Sequence, residues 1–249
     1  MTSYEGLSVV ITGASEGLGA TLARELSARG ARLTLGARTQ PALEAVAADC
    51  ADAIAVPTDV TSRTDVQRLA DRALAERGRI DVWVSNAGQG NSRRVDDLSD
   101  DELDAMLNVN LRSVLYGIQA ALPVMREQNS GVIANVSSVL SRWPRAHFRS
   151  AYNLSKAAVN SLGESLRLQL AEEGSPIRVV TVLPGMVSTD FSLNALGDGE
   201  DMRANPMSQD VNDCARVIAD GLLEGPADLY TRPESYEVVS AYLASLVGK

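Results

Sequence analysis

The chain of 249 residues predicts an α/β fold: one doubly wound parallel sheet of six or seven strands with helices on both faces, in a single domain. Three observations carry this expectation. Short β-branched runs alternate with longer helical stretches, the pattern of βαβ units around a parallel sheet. The first strand is an unbroken apolar run, as a strand covered on both faces requires. No linker composition and no internal repeat divides residues 1–249.

Ser8-Val9-Val10-Ile11-Thr12 is the first strand, and glycines follow at once. Residues 17–29 read as a helix ended by Gly30, at the position where a left-handed residue closes a helix. Arg32–Ala37 is the second strand. Thr39 is placed to cap the next helix, with Pro41 in its first turn, where a missing N–H costs little. Ala53–Pro57 is the third strand and residues 63–77 the third helix. Asp81–Ser85 is the fourth strand. Ser99-Asp100-Asp101-Glu102 is a capping box opening a long helix that runs to about Met125. Gly131–Val136 is the fifth strand, residues 152–173 are helical, and Ile177–Val182 is the sixth strand. Residues 188–210 break the pattern: Asn, Asp, Gly, Ser and Pro dominate, without apolar period. A loop this long in a compact domain is often a lid over a site.

Composition narrows the function. Apolar residues make up 45% and charged residues 22% of the chain, near globular averages. A net charge of −9 disfavours nucleic acid and anionic membranes, both of which reward a basic surface. No apolar run approaches the roughly 18 residues of a membrane span. Two cysteines and one histidine supply neither a disulfide framework nor a zinc cluster. The N-terminus lacks a signal-peptide pattern, so a soluble cytoplasmic protein is expected.

Thr12-Gly13-Ala14-Ser15-Glu16-Gly17-Leu18-Gly19 lies between a strand and a helix. Glycines there let backbone N–H groups approach a pyrophosphate at the positive end of the helix, and the position after the first strand of a βαβ unit points to a dinucleotide. The end of the second strand selects the cofactor: a carboxylate suits an adenosine ribose, a cation suits a 2′-phosphate. Gly36-Ala37-Arg38 offers a guanidinium, so Arg38 favours NADP(H), although Glu16 would repel a nearby phosphate.

Tyr152 and Lys156, four residues apart, share a helix face, and Ser138 ends a strand upstream. A free tyrosine titrates near pH 10, so acid/base work near neutrality requires its pKa to fall by about 3, roughly 4 kcal/mol. A lysine ammonium within a few Å supplies part of this.

Together these pieces resemble the short-chain dehydrogenase/reductase family over nearly the whole chain. In family order they are the Thr12–Gly19 turn, Asp59-Val60, Asn86-Ala87-Gly88, Asn110, Ser138, Tyr152 and Lys156, and Pro184-Gly185 followed by Val187 and Thr189. The resemblance implies a Rossmann-type fold. It implies Tyr152 as general acid/base, with Lys156 lowering its pKa and binding the nicotinamide ribose. Ser138 would polarise the carbonyl, and Asn110 would hold a water in the proton relay. Gly13, Ser15, Glu16, Gly17, Leu18 and Gly19 would form the phosphate turn. Asp59 and Val60 would flank the adenine, Asn86, Ala87 and Gly88 would shape the adenosine side, and Pro184, Gly185, Val187 and Thr189 would meet the nicotinamide end. The spacing from Ser138 to Tyr152 is one residue longer than similar enzymes usually have, so that loop is expected to bulge.

The implied activity is hydride transfer between NADP(H) and a carbonyl or secondary alcohol. Reduction of a 3-oxoacyl thioester is an alternative, disfavoured because Asp228–Pro233 lacks the Val-Asp-Gly-Gly-like ending of many acyl-reducing members. A non-catalytic dinucleotide sensor is an alternative of another class, disfavoured by the complete Asn110, Ser138, Tyr152, Lys156 set. Trp143, His147 and Phe148 either border the substrate or pack beneath their loop. Arg142, Arg145 and Arg149, like Arg93 and Arg94, either draw an anionic substrate or form a solvated basic surface. The apolar stripe Leu103, Met106, Leu107, Leu111, Val114 and Leu115 either meets a second subunit, giving the family's homodimer or homotetramer, or faces its own sheet.

Overall fold

The structure, a computed structural model, describes residues 2–197 and 199–247. The elements run β1 (Ser8–Thr12), α1 (Gly17–Ala28), β2 (Arg32–Ala37), α2 (Gln40–Ala48), β3 (Ala53–Pro57), α3 (Arg63–Arg77), β4 (Val82–Ser85), and a short β5 (Asn91–Ser92). Then come α4 (Asp100–Leu107), a π-helical turn (Asn108–Arg112), α5 (Ser113–Gln128), β6 (Val132–Val136), α6 (Ser150–Glu172), β7 (Arg178–Leu183), a short β8 (Leu196–Gly197), α7 (Val211–Gly221), β9 (Asp228–Tyr230) and α8 (Pro233–Val247).

Seven strands form one sheet in the order β3-β2-β1-β4-β6-β7-β9, with every pair parallel. Strand order reverses between β1 and β4, and a crevice opens there at the strands' C-terminal ends, where ligands bind in such sheets. The pleat divides the core. Val9 and Ile11 of β1 and Val82 and Val84 of β4 point to the side covered by α1, α2 and α7. Val10 and Trp83, on alternate positions, point to the side covered by α3, α5 and α6. All six are fully buried, so these strands could not be polar on either face.

The six strands read from sequence are present, with ends shifted by at most one residue, and β9 is the seventh. Gly30 follows α1 at φ +90°, the left-handed stop expected of it, and Ser99 and Glu102 make the capping box. Thr39 occupies the N-cap of α2, but its side chain caps nothing. The helix expected from 100 to 125 is present and widens midway: five residues with π geometry join α4 to α5. Four of the six stripe residues pack within their own domain: Met106 and Val114 are buried, Leu103 packs on the Met106–Ala151–Tyr152 cluster, and Leu111 on the core beneath α5. Among the described residues of 188–210 the chain is irregular apart from β8, which pairs with β5. The segment is tied at both ends, Ser188 N–H donating to Gln209 O at 2.9 Å and Gln209 N–H to Met186 O at 2.8 Å.

Candidate active site

The crevice between β1 and β4 continues into one cavity of about 1270 Å³ that reaches α6 and the 188–210 segment. Its floor is the β1–α1 turn. Gly13 has φ +65°, and a Cβ there would lie 2.7 Å from Ala87 Cα; a Cβ on Gly19 would lie 2.2 Å from Gly13 O. Contacts this short are not accommodated, so the turn can only be built with glycine at both places. The turn is braced from β4: Asn86 Nδ2 donates to Thr12 O at 3.0 Å and Gly13 O at 3.1 Å, and Thr12 Oγ1 accepts the Asn86 and Ala87 N–H groups. Ser15, Glu16, Gly17 and Leu18 line the same floor at the start of α1, and Thr189 closes over it, its Cβ 3.6 Å from where a Gly17 Cβ would stand. A bare backbone cradle at a helix N-terminus suits a pyrophosphate.

At the outer end, Arg38 is exposed and faces the cavity with Thr39, Asp59 and Val60. Asp59 does not cap α3, a task done by Ser62; its carboxylate accepts from Thr61 N–H at 2.9 Å. Pro184, Gly185 and Val187 form the wall at the inner end. These residues fit an extended dinucleotide, with a cationic pocket at one end and the Tyr152–Lys156 helix at the other.

Lys156 is buried and donates from Nζ to Val136 O at 2.7 Å, 5.8 Å from the centroid of the Tyr152 ring. Gly88 stands beside it, with room for a Cβ only at 3.4 Å from Nζ. Burial lowers the Lys156 ammonium to about 8, so it is charged at neutrality. At the Tyr152 phenol, burial raises the pKa, opposed by a hydrogen bond with Ser138 and by the charge of Arg149. Ser138 Oγ also accepts from Leu140 N–H at 3.2 Å, and an extra 3-10 turn, Val139–Ser141, follows it in the loop expected to bulge.

Asn110 lies in the π turn, fully buried and outside the cavity wall. Its side chain exchanges two hydrogen bonds with the Gln89 backbone, at 2.8 and 2.9 Å, and donates to Ser155 Oγ at 3.0 Å. Ser155 in turn donates to Tyr152 O at 2.8 Å. The Asn110 amide is therefore a brace joining the loop after Gly88 to the Tyr152 turn.

Trp143 and Phe148 line the cavity, and Trp143 also packs on Val139, Leu183 and Val239 beneath its loop. His147 is exposed, edge-on to Phe148 at 5.9 Å, and outside the cavity wall. Sequence reasoning missed Phe191, whose ring lies 5.6 Å from that of Tyr152, and Asn91, whose Oδ1 accepts the Tyr152 N–H at 2.9 Å. Neither carries a signal in a single sequence: Phe191 lies in an irregular stretch and Asn91 in a strand of only two residues.

The family model described as short chain dehydrogenase matches residues 8–198. An uncharacterised oxidoreductase of Staphylococcus saprophyticus is 39% identical over 196 residues, covering 77% of this chain and 78% of that protein. Among solved structures, a short-chain dehydrogenase/reductase from Burkholderia phymatum in complex with NAD superposes with a TM-score of 0.89 at 25% identity, covering 100% of this chain and 97% of that one. A short-chain dehydrogenase from Burkholderia cenocepacia in complex with NADP gives 0.82 at 26% identity, with both chains fully covered.

Proposed function

Because the chain belongs to the short-chain dehydrogenase/reductase family of oxidoreductases, we propose that it is an NADP(H)-dependent reductase of ketones or aldehydes, able to run in reverse on secondary alcohols. The observation that carries this reading is the convergence of Tyr152, Lys156 and Ser138 on the inner end of a glycine-floored crevice whose outer end presents Arg38. A nicotinamide dinucleotide bound in that crevice supplies or accepts the hydride.

The protein's own residues do the rest. Tyr152 gives its phenolic proton to the carbonyl oxygen, and Ser138 donates a hydrogen bond to the same oxygen, stabilising the charge that develops there. Lys156, charged and held by Val136 O, is placed to bind ribose hydroxyls beside Gly88. Because burial raises the Tyr152 phenol, its proton is retained at neutrality and is available for reduction. Trp143, Phe148 and Phe191 give the substrate side an apolar wall, and the segment 188–210 acts as a lid that excludes water. Leu154 and Leu168, half or more exposed on α6, support a homodimer or homotetramer. Nothing in the reading calls for nucleic acid or membrane, and no helix among the described residues is long and apolar enough to cross one.

The test follows NADPH absorbance with neutral ketones, aldehydes and 3-oxoacyl thioesters. Turnover of ketones or aldehydes is expected, falling at least about a hundredfold in Tyr152→Phe while NADPH affinity is kept. A Tyr152→Phe variant as fast as the parent would overturn the acid/base assignment, and turnover confined to thioesters would move the chain to the alternative reading.

A further inference from the structure

Five arginines cluster around the site in sequence, and the structure sorts them. Arg93 pairs with Glu102 at 3.0 Å, Arg94 with Asp96 at 3.5 Å, and Arg142 with Asp228; their charges are met within the protein. Arg145 and Arg149 make no ion pair among the described residues, and both line the cavity.

Arg149 is the deeper of the two. It stands one turn before Tyr152 at the N-cap of α6 and is half-buried. Its guanidinium reaches under Gly90, where a Cβ would lie 3.2 Å from Nη1 and 3.3 Å from the Phe191 ring. That ring is the one packed on Tyr152. Only Nη2 has a hydrogen-bond partner among the described residues, Ser192 Oγ at 3.1 Å, so Nη1 and Nε keep their donors. The guanidinium lies 5.8 Å from the centre of the Phe148 ring. Arg145, farther out and exposed, rests over the Trp143 ring at 4.9 Å. The nearby lid carboxylate of Asp190 is already taken by Arg203 at 2.8 Å, leaving Glu200 as an exposed acid on that wall.

A half-buried cation with free donors, fixed by apolar rings and aimed into the substrate end of a cavity, is a receptor for an anion. We propose that the substrate is a carbonyl compound bearing a carboxylate, with Arg149 holding the carboxylate, the aromatic wall holding an apolar body, and Arg145 drawing the anion inward. The proposal deepens the reductase reading and rests on it for the carbonyl chemistry, but the anion preference is a property of binding that can be read without turnover. In a chain of net charge −9, such a preference has to come from a local cation.

The test uses two oxo acids of different length, benzoylformate and 4-oxo-4-phenylbutanoate, each against its methyl ester, which keeps the carbonyl and ring but removes the charge. With NADPH, at least one acid is expected to exceed its ester in kcat/KM by about tenfold or more. Arg149→Gln should cut the acid at least about ten times more than the ester, mainly through KM, and Arg149→Lys should restore part of the difference. In parallel, Tyr152→Phe, loaded with NADPH, is titrated with the same compounds while following the fluorescence of Trp143 in the cavity wall. Tighter binding of an acid than of its ester, lost in the Tyr152→Phe, Arg149→Gln double variant, supports the proposal even if no compound is reduced. That outcome would count against the reductase reading instead. Esters binding and turning over as well as both acids, or Arg149→Gln lowering acid and ester equally, overturns the proposal.

Discussion

On the proposed NADP(H) reading, Arg38 sets cofactor choice by charge and reach rather than by shape. It stands just past β2, exposed to the cavity, where the adjacent Thr39 hydroxyl is spared from capping α2 and where Asp59 and Glu16 are the carboxylates on the same lining. A guanidinium there gains a charge-assisted contact only when the ligand carries a 2′-phosphate, a contact worth about 1.5–3 kcal/mol. Arg38→Ala is therefore expected to weaken NADPH by roughly tenfold to a hundredfold and NADH by less than about threefold, measured as dissociation constants by fluorescence titration. Glu16 opposes Arg38 across the floor of the crevice. Equal losses for both nucleotides would show that Arg38 is only a surface cation. The similar structures include one holding NAD and one holding NADP, so the fold alone does not set the choice.

At the scale of elements, the turn from β1 into α1 is fixed by what lies opposite it. Ala87, in the loop after β4, occupies the space a side chain at Gly13 would need, and the clash is with its backbone atoms at 2.7 and 2.9 Å. Gly13 also has the left-handed φ that an L side chain resists, at a cost of about 1 kcal/mol. Gly13→Ala should push the turn away from the Asn86 brace, lowering stability by about 1–3 kcal/mol and dinucleotide affinity by more than about tenfold. Denaturant melts paired with nucleotide titration check this, and an Ala variant that binds normally would mean the loop after β4 yields easily. This turn was readable in the sequence because glycine leaves its own mark there. So were the strands, whose apolar runs reflect burial on both faces, and Gly30 and the Ser99–Glu102 box, whose chemistry ends and starts helices. The π turn was not readable: inserting one residue per turn leaves the apolar spacing of Leu107, Leu111 and Val114 helical. The three-residue β9 is too short to show a period, and α7, despite buried Cys214, Ala215 and Ile218, follows a loop that hides its start. In the site, Tyr152, Lys156 and Ser138 were legible through spacing. The roles of Asn110 as brace, of Phe191 as wall and of Arg149 as an unpaired cation were not, because each depends on which distant residue the sheet brings alongside.

For the molecule as a whole, the site is a place where folding stability is given up. Lys156 is buried with one carbonyl partner and no carboxylate among the described residues, so its ammonium, which titrates near 10.5 when free, titrates near 8 in the folded chain. Between these values the unfolded chain holds a proton that the folded chain has released. Stability must therefore rise with pH across that window, by up to about 1 kcal/mol per pH unit from this group; the gain is complete above 10.5 and is lost as pH falls through 8. Tyr152 acts in the opposite sense at the upper end. Its raised pKa means that above pH 10 the unfolded phenol ionises while the folded one does not, and stability falls again. Lys156→Met removes the first effect and keeps the second. The stability of Lys156→Met relative to the parent, from denaturant melts of both proteins without nucleotide, should be most favourable to the variant at pH 7. It should decline by about 1 kcal/mol per pH unit from 8 to 10. A difference that stays flat over that range would show that the ammonium is solvated in the folded protein, and the desolvated lysine on which the site is built would not exist. The decline ties the chemistry to the fold: the group proposed to bind ribose as a cation is the one whose charge the folded interior resists.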